Sequence, residues 1–121
     1  MVGFIREHAD NLVYVLETFE CCDLVSDVRG DVLTIDGVNT RLYLKITNSD
    51  LVISHINLVH KRIGTFSKIL IMLNSISKEL NLNNLVVENV STLDMECFCK
   101  KNNFKLITSP NEYKIYTRQV L

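Results

Sequence analysis

The chain has 121 residues, a hydrophobic fraction of 47% and a formal net charge of −1. That length suits a single domain spanning residues 1–121, with enough apolar side chains for a core. The near-neutral balance gives no overall attraction to nucleic acid, and the longest apolar runs fall far short of a membrane span.

Charge is unevenly distributed. Residues 1–60 carry four Lys/Arg against nine Asp/Glu, whereas residues 61–121 carry nine against five. This makes the molecule dipolar, with its positive side in the second half, by design or by chance. The four cysteines, Cys21, Cys22, Cys97 and Cys99, match no zinc spacing and have no Cys–His cluster beside them. The opening residues do not form a signal-peptide pattern. Reduced thiols in a cytoplasmic protein are therefore expected. Cys97 and Cys99, two apart on a predicted helix, should point to different faces and form no bridge.

Taken in order, residues 4–22 place Ile5, Ala9, Leu12, Leu16 and Phe19 on one helical face. Phe4 to Arg6 could instead form a short strand. Asp23 to Gly30 is polar and reads as a loop or short helix. Asp31–Asp36 alternates as a strand, Gly37 to Asn39 turn, and Arg41–Thr47 returns antiparallel. Asn48 to Asp50 turn again into Leu51–Val59, so three strands form a meander. A helix follows, with Phe66, Ile69, Leu70, Leu73, Ile76 and Leu80 recurring at steps of three and four. Asn81, Asn83 and Asn84 supply its stop, because asparagine tolerates the left-handed conformation. Leu85–Val90 is a short apolar strand. Its connection to Leu51–Val59 passes through a helix, so the two should run parallel. Ser91-x-x-Asp94 reads as a capping box opening a helix to about Asn102. Phe104–Ile107 and Tyr113–Thr117 are the last strands. The expected fold is α/β (α+β): a mixed, mostly antiparallel sheet of about six strands with a central parallel pair, flanked by helices.

The segment between Val59 and Phe66 is short and basic, and it holds Gly64, the only glycine of the second half. A strand, a tight glycine turn and a helix N-terminus together form an anion site. The first N–H groups of the helix lack intrahelical partners, and the macrodipole favours negative charge there. Lys61, Arg62 and Lys68 add cations around that point.

The element order and two motifs resemble the GNAT superfamily of N-acetyltransferases over roughly Asp31 to Arg118. The family's R/Q-x-x-G-x-G/A turn reads here Lys61-Arg62-Ile63-Gly64-Thr65-Phe66, and its late aromatic pair and Gly-Phe read Phe98-Cys99-Lys100-Lys101-Asn102-Asn103-Phe104. The resemblance implies that backbone N–H groups of the turn hold the pyrophosphate of acetyl-coenzyme A. It also implies that the pantetheine arm lies where the two parallel strands splay, and that a late-helix residue protonates the departing thiolate. Three positions depart from the family: Lys61 replaces Arg or Gln, Phe66 replaces a small residue where backbone must approach phosphate, and Cys99 stands where the family has Tyr.

The coenzyme-binding candidates are therefore Lys61, Arg62, Ile63, Gly64, Thr65, Phe66 and Ser67, against an ordinary strand-to-helix turn with solvated lysines. The catalytic candidates are His55, which could take a proton from an amine, and Cys99 as general acid. For His55 the alternative is a half-buried structural histidine, placed by strict alternation on a face with Ile53 and Asn57. Asp50 and Glu88, at strand ends or faces, are further base candidates, and Tyr113 and Tyr116 on the last strand are alternative proton donors or sheet-packing residues. Two functions follow: a small acetyl-coenzyme A-dependent N-acetyltransferase with a degenerate site and an amine acceptor, or an inactive GNAT-fold protein that binds another protein. Nucleic-acid binding through Lys100, Lys101 and Lys105 lacks the interleaved aromatics that base stacking needs.

Overall fold

The computed structural model describes residues 3–20, 23–58, 64–108 and 114–121. In chain order the elements are α1 (Arg6–Glu20), β1 (Val25–Arg29), β2 (Val32–Asp36), β3 (Arg41–Thr47), β4 (Asp50–Asn57), α2 (Thr65–Glu79), β5 (Asn84–Val90), α3 (Leu93–Lys101), β6 (Lys105–Leu106) and β7 (Lys114–Gln119). The strands form one seven-stranded sheet in the order β1-β2-β3-β4-β5-β7-β6. Only β4 and β5 pair in parallel; every other neighbouring pair is antiparallel. The central parallel pair read from the sequence is therefore present, one helix apart.

The core forms because the inner faces of the central strands β2 to β5 are apolar. Leu33, Ile35, Leu42, Leu44, Leu51, Ile53 and Leu85 are almost completely buried. They meet Ala9, Leu12 and Leu16 of α1 and Ile69, Leu70, Leu73 and Ile76 of α2. Each such fully buried aliphatic contributes roughly 1.5–3 kcal/mol of transfer free energy. The two helices run antiparallel to one another. His8 near the start of α1 bonds Glu79 at the end of α2 (Nε2 to Oε2, 3.0 Å), and Lys68 at the start of α2 lies 6.0 Å from the Phe19 ring near the end of α1. The His8 Nδ1 also accepts from the Ile5 N–H at 3.1 Å, closing the first turn of α1.

Helices α2 and α3 end alike, and in the way asparagine allows. Asn81 and Asn103 adopt φ 58° and 66°. After α2, Leu82 N–H bonds Ser77 C=O and Asn81 N–H bonds Lys78 C=O; after α3, Phe104 N–H bonds Cys99 C=O and Asn103 N–H bonds Lys100 C=O. Both are Schellman closures, which satisfy the last carbonyls and turn the chain sharply back toward the sheet. Arg118 reinforces the second. Its Nη1 donates to Asn102 C=O at 3.1 Å, and its guanidinium lies 5.0 Å from the Phe104 ring. Burial lowers the Arg118 pKa from its usual value. The carbonyl end of α3 offers this half-buried cation a favourable dipole.

Five details differ from the sequence reading. Residues 25–29 form an edge strand rather than a loop or short helix. As an edge it packs only Val28 against the core, so Ser26, Asp27 and Arg29 disguise its period. A two-residue turn with Gly30 at φ 62° joins it to β2, which makes the meander four-stranded and the sheet seven-stranded. Ile5 lies outside α1 and is 48% exposed, while Phe4 takes its place in the core. The α3 cap is Thr92, not Ser91: Thr92 is extended and its Oγ1 accepts from Met95 N–H at 3.2 Å. Strand β6 is only two residues long and lies at the sheet edge, while β7 takes the inner place beside β5. The expected strand positions Val59 and Tyr113 lie outside the described residues.

Candidate functional site

The parallel ladder that centres the sheet is short. It runs from Asp50↔Asn84 to Ile53↔Val87 and then stops. At that point β4 bulges against β3, with Tyr43 opposite His55 and Leu44 opposite Ile53, so that Ser54 is the extra residue. Strand β5 is irregular at the same level, between Val87 and Val90, with Asn89 at φ 56°. Beyond these two irregularities the strands separate. Bulges bend the strand that carries them and re-aim its side chains, and here they leave an opening beside the first turn of α2.

Into that opening faces a cleft of about 650 Å³. One wall is the end of β4, with Ile56, Asn57 and Leu58. A second is the start of α2, from Gly64 to Ser67, and a third is the exposed side of α3, from Thr92 to Lys101. The volume lies within the range typical of small-molecule sites.

The start of α2 supplies the polar end. Gly64 precedes the helix at φ 87°, ψ 5°, with no side chain to cap it. Among the described residues nothing lies within 4 Å of where a Cβ would stand, and Gly64 lines the cleft. Among the described residues, the first backbone bond of the helix runs from Lys68 N–H to Gly64 C=O, at 3.1 Å. The N–H groups ahead of it have no acceptor within the helix. Thr65 is only 2% exposed, and its Oγ1 has no hydrogen-bond partner among the described residues. A buried hydroxyl left unpaired costs about 1–3 kcal/mol unless a ligand or water satisfies it.

Phe66 turns inward. It is 9% exposed and its ring stacks on Phe98 of α3, with centroids 4.3 Å apart and planes at 24°. The stack joins α2 to α3 and forms part of the cleft wall. Its bulk therefore falls on the cleft between α2 and α3 rather than outward over the start of α2.

The remaining site candidates are dispersed. Lys61, Arg62 and Ile63 lie outside the described residues. His55 is exposed and sits opposite Tyr43, with ring centroids 5.6 Å apart. The extra residue at Ser54 breaks the alternation, so His55 does not share a face with Ile53 as strict period two requires; Ile56 takes the core-facing role instead. Cys99 is completely buried and does not line the cleft. Burial, and secondarily the Glu96 carboxylate, pushes its thiol up to about 12. Cys97 lines the cleft and is exposed. Asp50 accepts from Asn84 Nδ2 at 2.9 Å, at the closed end of the parallel pair. Glu88 is paired with Lys45 at 3.2 Å. The Tyr116 hydroxyl donates to Glu96 Oε1 at 3.4 Å, and burial raises its pKa. The Lys114 ammonium hydrogen-bonds Glu96 and holds that carboxyl below its usual value.

The two cysteines of α3 make a direct check on this arrangement. Cys97 is expected to react with iodoacetamide in the native protein, whereas Cys99, buried and held as the neutral thiol, reacts only after unfolding. Peptide mapping by mass spectrometry distinguishes them. Equal native labelling, or a Cys97–Cys99 bridge, would contradict the packing of α3.

Several cleft residues were not among the catalytic or coenzyme-binding candidates read from the sequence: Asn57, Thr92, Asp94, Met95, Cys97 and Lys101. The α3 members could be found by helical period once the helix start is placed at Thr92, since Asp94, Phe98 and Lys101 then fall on one side.

A sheet with one short central parallel pair, splaying beside a bare helix N-terminus, defines the class: this is the GNAT fold of N-acetyltransferases. Solved structures of that class superpose on the chain. An acetyltransferase of the GNAT family from Staphylococcus aureus Mu50 matches with a TM-score of 0.61 at 11% identity, over 99% of this chain and 98% of that one. Ard1 from Thermoplasma volcanium gives 0.56 at 13% identity, over 98% and 95%. The PaiA N-acetyltransferase from Thermoplasma acidophilum, solved in complex with coenzyme A, gives 0.55 at 17% identity, over 91% and 70%. No protein-family model matches the chain, and no curated protein sequence matches it. Among the described residues no helix is long and apolar enough to cross a membrane.

Proposed function

We propose that the chain binds acetyl-coenzyme A in the β4–α2–α3 cleft and serves as a small N-acetyltransferase with a degenerate site. The observation that carries this reading is the buried, unpartnered hydroxyl of Thr65, set in the first turn of α2 behind an open Gly64. A phosphate at the helix N-terminus satisfies both that hydroxyl and the free N–H groups. The coenzyme would supply an activated acetyl thioester for an amine acceptor. The chain's part is to hold and enclose it. The N–H groups of Thr65, Phe66 and Ser67 would take the phosphates, and Lys101 adds a cation on the opposite wall. Ile56, Met95 and Phe98 give the arm an apolar wall that keeps water out. The PaiA neighbour, solved with coenzyme A, supports the choice of ligand. The free thiols accord with a reducing, cytoplasmic setting.

Thr65→Val tests the reading, because valine keeps the shape and removes the hydroxyl. If Thr65 is a ligand contact, the variant gains roughly 1 kcal/mol of stability without ligand, since an unpaired buried polar group is gone. Its affinity for acetyl-coenzyme A falls about fivefold, the worth of one hydrogen bond. Thermal melts and calorimetry read the two effects. Unchanged affinity in the variant would remove Thr65 from the site, and absence of binding by the unmodified protein would remove the coenzyme.

A second reading, an inactive GNAT-fold protein that acts by binding another protein, is favoured by the proton carriers. Cys99, the residue at the family's acid position, is buried with its thiol pushed up to about 12. His55, retained as the candidate base, is exposed on the strand face that carries Tyr43. Neither lines the cleft.

A further inference from the structure

Asn89 occupies an unusual place. It lies within a strand, at a position where φ is 56°, and strands do not ordinarily hold a left-handed residue. Its neighbours explain the consequence. The parallel ladder has ended two residues earlier, at Ile53↔Val87, so Ser54 lies just beyond the last paired residue of β4. The left-handed turn of the backbone aims the Asn89 side chain across the opening, and its Nδ2 donates to that carbonyl at 3.4 Å. The bond is long and exposed. It is therefore one a better-placed donor can replace.

We propose that Asn89 is a displaceable latch: its side-chain amide closes the gap between β4 and β5 by standing in for the amide N–H of a ligand arm that binds there. The proposal rests on the coenzyme reading above and names the requirement of the gap itself. The acceptor that Asn89 occupies is a backbone carbonyl, and the class of ligand that suits it is an extended chain bearing a secondary amide. Pantetheine has two such amides. Competition between the Asn89 amide and the ligand amide for one carbonyl weakens binding of the arm and leaves binding of the phosphates untouched. The local strain has the same logic. A left-handed non-glycine residue is a cost retained where it positions a group, and here it positions the donor.

The test uses Asn89→Gly and Asn89→Asp in the full chain. Glycine keeps the left-handed backbone without the amide, and aspartate keeps size and backbone tolerance without the donor. Affinities for acetyl-coenzyme A and for ADP, which has the pyrophosphate but no pantetheine, are measured by calorimetry, with thermal melts to confirm folding. The expected result for both variants is that the ratio of acetyl-coenzyme A affinity to ADP affinity rises roughly fivefold, the equivalent of one hydrogen bond no longer contested. A merely structural asparagine would shift both ligands together, and that result overturns the latch. An unchanged or lowered ratio overturns it as well. If the unmodified protein and the variants bind neither ligand, the coenzyme reading fails and the latch fails with it. If they bind ADP but no acetyl-coenzyme A, the cradle stands and Asn89 is not what closes the gap.

Discussion

Phe66→Gly is expected to lose stability and gain affinity for acetyl-coenzyme A. The ring is almost wholly buried and stacked on Phe98. Its removal forfeits roughly 1.5–3 kcal/mol of burial, about 0.5–1.5 kcal/mol of ring pairing and close to 1 kcal/mol for glycine inside a helix. The sum is a large fraction of the stability of a small protein, so Phe66→Ala, which spares the helix penalty, is the companion variant. The gain in affinity comes from the slot. A side chain stacked across α2 and α3 fills part of the cleft beside the splayed strands, space that a ligand arm entering the gap must pass, and relieving such overpacking is worth roughly tenfold in binding. Chemical denaturation and calorimetry on the three proteins measure both effects. Tight binding by the unmodified protein would show that the arm passes beside the ring and would strengthen the enzyme reading. No binding by any of the three would leave the protein-binding reading ahead.

The elements that were legible in the sequence were those whose signal is local and periodic. Helix α2 announced itself through Phe66, Ile69, Leu70, Leu73 and Ile76, all of them buried. Its crossover role followed from the apolar strands on either side, and with it the parallel pair. The asparagine stop after α2 followed from backbone chemistry at Asn81. What stayed hidden depends on partners distant in sequence. Strand β1 is an edge with one core contact, so its pattern is that of a polar loop until β2 is there to pair with it. The face of His55 could not be read by alternation, because the bulge at Ser54 is a property of the β3–β4 pairing and not of β4 alone. The same holds for Cys99. Alignment with a family motif puts it at the acid position, but whether a helix residue faces a cleft or the core is decided by the neighbours. Here Cys99 meets the core, and Cys97, two residues earlier, meets the cleft.

Gly64→Asn is expected to fold nearly as well as the natural chain and to bind acetyl-coenzyme A at least roughly tenfold more weakly, as expected when backbone can no longer approach phosphate. The argument comes from how this chain handles left-handed residues. Asn48, Asn81, Asn89 and Asn103 all have positive φ, so asparagine meets that need at four described positions. Gly64, at φ 87°, could be met in the same way if conformation were its only demand. A Cβ there also has open space, with nothing within 4 Å among the described residues, so no packing among them calls for glycine. What remains is the ligand. The open space lies at the mouth of the cleft, beside N–H groups that have no intrahelical acceptor and beside the unpartnered Thr65 hydroxyl. A side chain at residue 64 would stand where an anion must sit. Asparagine separates the two demands better than alanine, which adds about 1–2 kcal/mol of left-handed strain and confounds folding with binding. Thermal melts should differ by less than about 1 kcal/mol between Gly64→Asn and the natural chain, while calorimetry shows the loss of affinity. Should the variant bind as tightly as the natural protein, the turn is only a turn, and the anion cradle at the start of α2 does not exist.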